Sequence, residues 1–273
     1  MNDEMLQAPA DAATLAHAVL ANWEAVERHL VTIHGGRLDD TPSLFRFASG
    51  LHTGFLNGIL RADDAVENLP ALIADTRRLF VELNVPWRWM AGGTSAPGLA
   101  DRLEALGLER RWEMPGMAID LEAIVEPARA PAGVAVAAEV LTPADLEGWL
   151  SVRRINLALD DATVEAWRIA HGRPGPGSSR PLRHFTVWED GRPVANATLF
   201  LGAGVAGIYH VDTLPEARGR GFGTAVTLTA LHAALDAGAR YGVLSASSLG
   251  EPVYRRLGFI RAGHVSGFAG PTV

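Results

Sequence analysis

The chain has 273 residues, 48% of them hydrophobic, and a formal net charge of −7. That length exceeds one average domain and suits two, with apolar material enough for a core in each. The absence of cysteine excludes disulfides, thiolate metal sites and a cysteine nucleophile, and the acidic balance, without a basic stripe carrying aromatics, excludes nucleic acid as the expected partner.

Residues 11 to 33 open the chain as a helix, with Leu15, Val19, Trp23, Val26 and Leu30 recurring every three or four positions. His34-Gly35-Gly36 ends it. Leu44 to Leu60 reads as two short strands, and Asp63 to Leu83 has helical spacing through Leu69, Leu72, Ile73, Leu79 and Leu83. Trp87 to Ala91 is strand-like, Ala100 to Leu106 a short helix, and Met117 to Leu121 the last strand before a boundary. The boundary is Glu126 to Gly133, where two prolines and a glycine in eight residues suit an exposed linker.

Beyond it, Gly133 to Leu141 reads as a strand. Thr142-Pro143 with Asp145 forms a helix start, continued by Leu146, Trp149, Leu150 and Arg153. A second helix spans about Asp161 to Ala170, and Gly172 to Arg180 is loop by composition. His184 to Trp188 alternates as a strand, Glu189-Asp190-Gly191 is a hairpin turn, and strands follow at Pro193 to Leu201 and Val205 to Thr213. A long helix carries Ala225, Leu228, Leu231 and Leu235 on one face and stops at Gly238. Tyr241 to Ser247 is a strand, Pro252 to Leu257 a helix, and Phe259 to Phe268 a final strand. The order, hairpins first and a strand-helix-strand unit later, is that of an α/β (α+β) protein.

The ends and middle of the chain narrow the class further. Asp3 and Glu4 stand where a secretory signal carries basic residues, and no apolar run reaches the ~18 to 20 residues of a membrane-spanning helix. A cytoplasmic protein with no membrane partner is the expectation. The nine histidines are scattered without a His-Glu-x-x-His pair, so no metal site is expected. A short repeat links the halves: Leu106-Gly107-Leu108-Glu109-Arg110 matches Leu257-Gly258-Phe259-Ile260-Arg261, and Gly116-Met117-Ala118 falls at the same offset as Gly267-Phe268-Ala269.

The chemistry concentrates between Val211 and Thr224. There a strand ends, a turn follows, and Gly219, Gly221 and Gly223 lead into a helix. Such a turn presents unpaired backbone N–H groups and the positive end of a helix dipole to one spot, and Arg218 and Arg220 add charge, so the fitting ligand is a pyrophosphate. The spacing is not that of a nucleotide triphosphatase loop. Nor is it the dinucleotide fingerprint, because Thr224 stands where that motif needs its third glycine.

The pattern Arg218-x-x-Gly221-x-Gly223 resembles the coenzyme A pyrophosphate loop of the GNAT acetyltransferase superfamily. Tyr254-Arg255-Arg256-Leu257-Gly258-Phe259 resembles the Y-x-x-x-G-F segment that follows the next strand in that family. The resemblance covers about residues 133 to 270. It implies a mixed, mostly antiparallel sheet flanked by helices, and with the repeat it implies a tandem of two GNAT-like halves. The expected division is a degenerate GNAT-like domain at residues 1–125 and the GNAT domain at 133–273.

Position by position, the resemblance implies acetyl-CoA as co-substrate, with Val211, Asp212 and Thr213 beside its thioester and pantetheine arm. Arg218, Gly219, Arg220, Gly221, Phe222, Gly223 and Thr224 would wrap the pyrophosphate. Ser247 falls where the family often has asparagine. Tyr254 is the expected proton donor to the leaving sulfur. His210, with Asp212 on the same strand and the same face by the two-residue period, is the expected base or relay; His184 and Glu251 are further candidates. Arg153, Arg154 and Asn156 read as a solvated helix face with the capacity to meet an acidic substrate. The acceptor is an amine on a small molecule or a protein, and GNAT proteins are often homodimers. A non-catalytic acyl-CoA sensor is the alternative from another functional class.

Overall fold

The computed structural model describes residues 5–7, 9–62, 68–92, 95, 98–126, 137–172 and 180–269. Helix α1 (Ala12–Ile33) begins where the Asp11 side chain accepts from the backbone of Thr14 and ends at His34. Strands β1 (Arg37–Asp40), β2 (Leu44–Ala48) and β3 (Asn57–Ala62) follow, then helix α2 (Leu69–Leu83), strand β4 (Arg88–Gly92), helix α3 (Leu99–Ala105) and strand β5 (Glu109–Asp120). The second half contains β6 (Ala138–Glu139), α4 (Pro143–Leu157), α5 (Asp161–Gly172), β7 (Leu182–Glu189), β8 (Arg192–Gly202) and β9 (Val205–Thr213). It ends with α6 (Phe222–Asp236), β10 (Tyr241–Ser245), α7 (Glu251–Leu257) and β11 (Ile260–Ala269).

Four elements differ from the sequence reading. β1 has one apolar residue in four, too few to show alternation. α2 starts at Leu69 rather than Asp63, with a proline in its first turn; residues 63–67 lie outside the described part. β5 starts eight residues before Met117, because its first half alternates charged side chains with half-buried ones instead of apolar ones. Of the strand expected over Gly133 to Leu141, residues 133–136 lie outside the described part, and β6 holds Ala138–Glu139. Residues 127–136, which hold most of the expected linker, and 173–179 of the expected loop lie outside the described residues.

All eleven strands form one sheet in the order β1-β2-β3-β4-β11-β5-β10-β9-β8-β7-β6. Each half contributes a parallel pair, β3 with β4 and β9 with β10, and the remaining neighbours are antiparallel. The final strands are exchanged. β11 of the second half lies against β4 of the first, and β5 of the first lies against β10 of the second.

The repeat motifs open these exchanged strands, and the register follows the repeat. Residue n of the first half answers residue n + 151 of the second, as Leu106 answers Leu257. Ile260 pairs with Ala118 and Ala269 with Glu109; shifting both partners by that offset turns one pair into the other. Arg261 opposite Met117 and Phe268 opposite Arg110 exchange in the same way. A pseudo-two-fold axis therefore runs between β5 and β11, and the two copies form one continuous tandem sheet.

α1 fastens the halves on one face of the sheet. Its Asn22 amide donates to the carbonyls of Gly202 (2.6 Å) and Val205 (3.2 Å) and accepts from the Tyr209 hydroxyl (2.6 Å). Gly207 permits this approach, since a Cβ there would stand 1.9 Å from the Asn22 oxygen. One turn later, buried Glu27 pairs with Arg88 of β4 at 2.5 Å. Burial pushes the Glu27 carboxyl up, to about 7, against the opposing pull of Arg88. The aliphatic core of the second half lies between β7–β10 and helices α4 and α6, with Leu199, Val226, Ala230 and Leu231 fully enclosed.

Candidate active site

β9 and β10 pair only at Ala206 with Gly242 and Gly207 with Val243. Beyond those two steps the strands diverge. The divergence coincides with a bulge in β9: Ala197 of β8 stands between the pairs Asn196–Asp212 and Thr198–Tyr209, opposite two residues, His210 and Val211. His210 takes a left-handed backbone conformation, φ +53°. That is uncommon for a residue with a Cβ. The sheet thus opens where the chemistry was expected.

A cavity of about 460 Å³ occupies this opening. Its wall is formed by Val211 and Thr213 of β9, by Arg218, Gly219, Gly221, Phe222, Gly223 and Thr224 of the loop and first turn of α6, and by Ser247 and Tyr254 around α7. Residues separated by more than forty positions in sequence are thereby brought to one surface. Gly221, at φ +88°, is the cap residue of α6 and supplies no side-chain acceptor, and Gly219 has φ +75°. Both conformations favour glycine. The first turn of α6 presents its free N–H groups and positive dipole end to the cavity, an arrangement suited to phosphate.

Two expected binding residues lie elsewhere. Arg220 does not line the cavity; it is turned to Glu189, which it grips through both guanidinium nitrogens. Asp212 is buried against α4, where it accepts from Arg153 and, at 2.7 Å, from the Asn156 amide. The expectation of a solvated face at Arg153, Arg154 and Asn156 holds only for Arg154, which is exposed and paired with Asp161. Arg153 is 4% exposed and lies 4.2 Å over the Trp167 ring. Asn156 borders the cavity and accepts from Arg218 at 2.6 Å. Sequence reasoning missed this polar bridge because its members come from three elements.

Tyr254 is buried on α7, and among the described residues nothing hydrogen-bonds its hydroxyl. Burial, aided by the negative charge of Asp212, raises its pKa well above that of an ordinary tyrosine. The phenol therefore keeps its proton and faces the cavity as a neutral donor. The Ser247 hydroxyl accepts from the Gly250 N–H at 3.1 Å and shapes the entry to α7. Glu251 is committed to Arg261 at 2.8 Å, which holds its carboxyl below the usual range and takes it out of contention as a base.

His210 sits in an aromatic nest, with ring centroids of Trp167 at 4.6 Å, Trp149 at 5.6 Å and His171 at 5.6 Å. Its Nδ1 lies 3.3 Å from the Thr198 hydroxyl. Burial first, then Arg153, pushes its pKa well below the usual histidine value. The bulge breaks the two-residue period from which His210 and Asp212 were placed on one face, yet both contact the α4–α5 side. Among the described residues no cluster of three or more His, Asp and Glu side chains is placed to hold a metal, and no helix is long and apolar enough to cross a membrane.

The strand splay, the glycine-capped helix and the tyrosine of α7 thus border one cavity. Residues 153–259 match the model of the Acetyltransferase (GNAT) family. No curated protein matches the sequence. Among solved structures, a GCN5-related N-acetyltransferase from Kribbella flavida superposes with a TM-score of 0.71 at 21% identity, over 93% of this chain and 96% of that one. One from Sphaerobacter thermophilus gives 0.61 at 17% identity, over 98% and 96%. A tandem GNAT protein from the clavulanic acid biosynthesis pathway gives 0.57 at 18% identity, over 97% and 98%. These likenesses show that the GNAT fold, including its tandem form, extends over the whole chain.

Proposed function

We propose that this protein transfers an acetyl group from acetyl-CoA to a primary amine by direct attack on the thioester. The observation that carries the reading is that one cavity is bordered both by the N-terminus of α6 and by Tyr254. Its size is within the ~300 to 1,000 Å³ typical of ligand sites. Acetyl-CoA, when bound, supplies the activated acyl group. Gly219, Gly221 and the first turn of α6 receive the pyrophosphate through backbone N–H groups, with Arg218 held beside them by Asn156. The free edge of β9 at Val211 and Thr213 supplies main-chain groups toward the reacting end.

An alkyl ammonium has a pKa near ~10.4, so about one molecule in 2,500 is neutral at pH 7, a cost of roughly 4 to 5 kcal/mol. His210 receives that proton. The nitrogen then forms its bond to the acyl carbon, the carbon–sulfur bond breaks, and Tyr254 protonates the sulfur. Without a cysteine in the chain, no acyl-cysteine intermediate arises. The first half is the degenerate partner in this scheme: Leu103 occupies the place in α3 that Tyr254 occupies in α7, so it offers no donor.

The test combines binding with turnover. Saturation at 100 times the dissociation constant adds about 2.7 kcal/mol, so acetyl-CoA is expected to raise Tm by about 5 to 10 °C and to lose this effect in Gly221→Glu. Thiol release is then followed with 2-phenylethylamine, spermidine, lysine and glucosamine. A thermal shift without amine-dependent thiol release would favour an acyl-CoA sensor. No shift at millimolar acetyl-CoA would end both readings.

A further inference from the structure

Two buried histidines and a half-buried one are joined end to end through one hydroxyl. His171 Nδ1 lies 3.3 Å from His184 Nε2; His184 Nδ1 lies 2.8 Å from Thr198 Oγ1; Thr198 Oγ1 lies 3.3 Å from His210 Nδ1. The inner end, His210, is half-buried on the splayed strand, next to cavity-lining Val211. At the outer end, His171 and His184 line a second cavity, of about 780 Å³, whose wall also carries Arg180 and the carboxylates of Glu147 and Glu165, both paired with Arg168. The Trp149 ring lies against all three imidazoles in tilted or edge-on contact, with centroids at 4.6 to 5.6 Å.

We propose that His210, Thr198, His184 and His171 form a proton relay that carries the acceptor's proton from the splayed strand to the second cavity. This rests on the acyltransferase reading. One assignment of hydrogens makes every link a donor–acceptor pair. His210 Nδ1–H donates to the Thr198 oxygen, the Thr198 hydroxyl donates to His184 Nδ1, and His184 Nε2–H donates to His171 Nδ1. His171 Nε2–H then points outward. Each group has one proton to give and one site to receive.

The proton balance closes. The ammonium gives one proton to His210 Nε2, each relay member passes its own along, and His171 Nε2 releases one proton at the outer cavity. The second proton leaves nitrogen as the new C–N bond forms, and it balances the proton that Tyr254 gives to the departing sulfur. A relay answers the difficulty that His210 poses as a lone base. Burial and Arg153 disfavour a lasting imidazolium at His210, and the same causes hold His184 down to about 3. All three rings stay neutral at pH 7, the state in which such a chain conducts.

Two measurements on the full-length protein test it. In ¹⁵N-imidazole spectra of the free wild type, His210 is expected as the Nδ1–H tautomer, and His184 and His171 as Nε2–H; any other tautomer at His184 overturns the relay regardless of turnover. Thr198→Val keeps the side-chain shape and removes the link, and Thr198→Ser restores it. Valine is expected to lower kcat about 10²-fold, for the amine turned over fastest in the panel, with the KM for acetyl-CoA unchanged. Serine should recover most of that loss. The solvent isotope effect on kcat should be curved in deuterium fraction for wild type and linear for valine. Wild-type kcat in Thr198→Val, or serine as slow as valine, overturns the relay while leaving the transferase reading intact. The expected tautomers without turnover of any amine would overturn that reading, and the relay with it.

Discussion

The guanidinium of Arg218 donates to the side-chain oxygen of Asn156 at 2.6 Å, although the two lie 62 positions apart. This bond joins the glycine loop to α4, and the Asn156 amide continues it to Asp212 of β9. The loop arginine is thereby positioned before any ligand arrives. Asn156→Ala is expected to weaken acetyl-CoA binding about 3- to 10-fold, the range of one charge-assisted hydrogen bond of roughly 1 kcal/mol. Calorimetric titration of variant and wild type checks this. An unchanged Kd would mean that Arg218 needs no tether.

Asp212 meets Arg153 where both are almost excluded from water, at 8% and 4% side-chain exposure. Asp212→Asn preserves the shape and leaves the Arg153 charge buried without its counter-ion. A loss of about 3 to 5 kcal/mol is expected, read from urea denaturation. Arg153→Met together with Asp212→Leu should lose far less, because the pair then vanishes as a unit.

Tyr254→Phe removes only the hydroxyl that faces the cavity. Burial keeps this phenol protonated throughout the physiological range, so its loss removes a proton donor rather than a charge. kcat is expected to fall about 10²-fold or more, with the Kd for acetyl-CoA within twofold. Equal activity in the phenylalanine variant would reduce Tyr254 to packing.

The buried histidines also set a pH limit on stability. His184, His171 and His210 all have folded pKa values below the unfolded value near 6.5. As pH falls below ~6.5, the unfolded chain takes up protons that the folded protein refuses, so stability declines with decreasing pH. For His184 the decline continues to about pH 3. Each group costs about 1.4 kcal/mol per pH unit in this window. The urea midpoint is expected to fall markedly between pH 7.5 and 5.5, and His184→Gln should reduce the slope by one proton. A flat profile over that range would show that the histidines accept protons while the fold stays intact.

The exchanged strands predict how the chain responds to cutting. Residues 1–126 alone lack β11, and β4 and β5 are then left without the strand that separates them; residues 137–273 lack β5 in the same way. Each fragment alone is expected to aggregate or remain unfolded by circular dichroism. Co-expression should return a folded pair on gel filtration. A stable, monomeric 137–273 fragment would show that β10 and β11 can close without β5.

The glycine-rich turn into α6 and the helix that carries Tyr254 were legible in the sequence because their information is local: fixed spacing, a glycine cap, a helix start. The hairpin at Asp190-Gly191 and the Thr142–Asp145 capping box were legible for the same reason. The bulge at His210 left no such mark, since no glycine or proline announces its positive φ. Nor did Arg153 betray its burial, because its partners Asp212 and Trp167 are supplied by other elements. The repeat at Leu106 and Leu257 revealed two related strands. Their exchange between halves is decided by pairing across more than a hundred residues, which no local pattern encodes.

That exchange also constrains how the protein is made. β4 is synthesised roughly 170 residues before β11, the strand that covers its edge. Until then the first half leaves the ribosome with a bare, apolar sheet edge that it cannot close, and β5 waits for β10 in the same way. Contacts this distant form slowly, and unpaired edges invite association between nascent chains. The tandem therefore matures as one unit after translation of β11, and its yield in the cell is expected to depend on chaperone capacity more steeply than that of a single-copy relative.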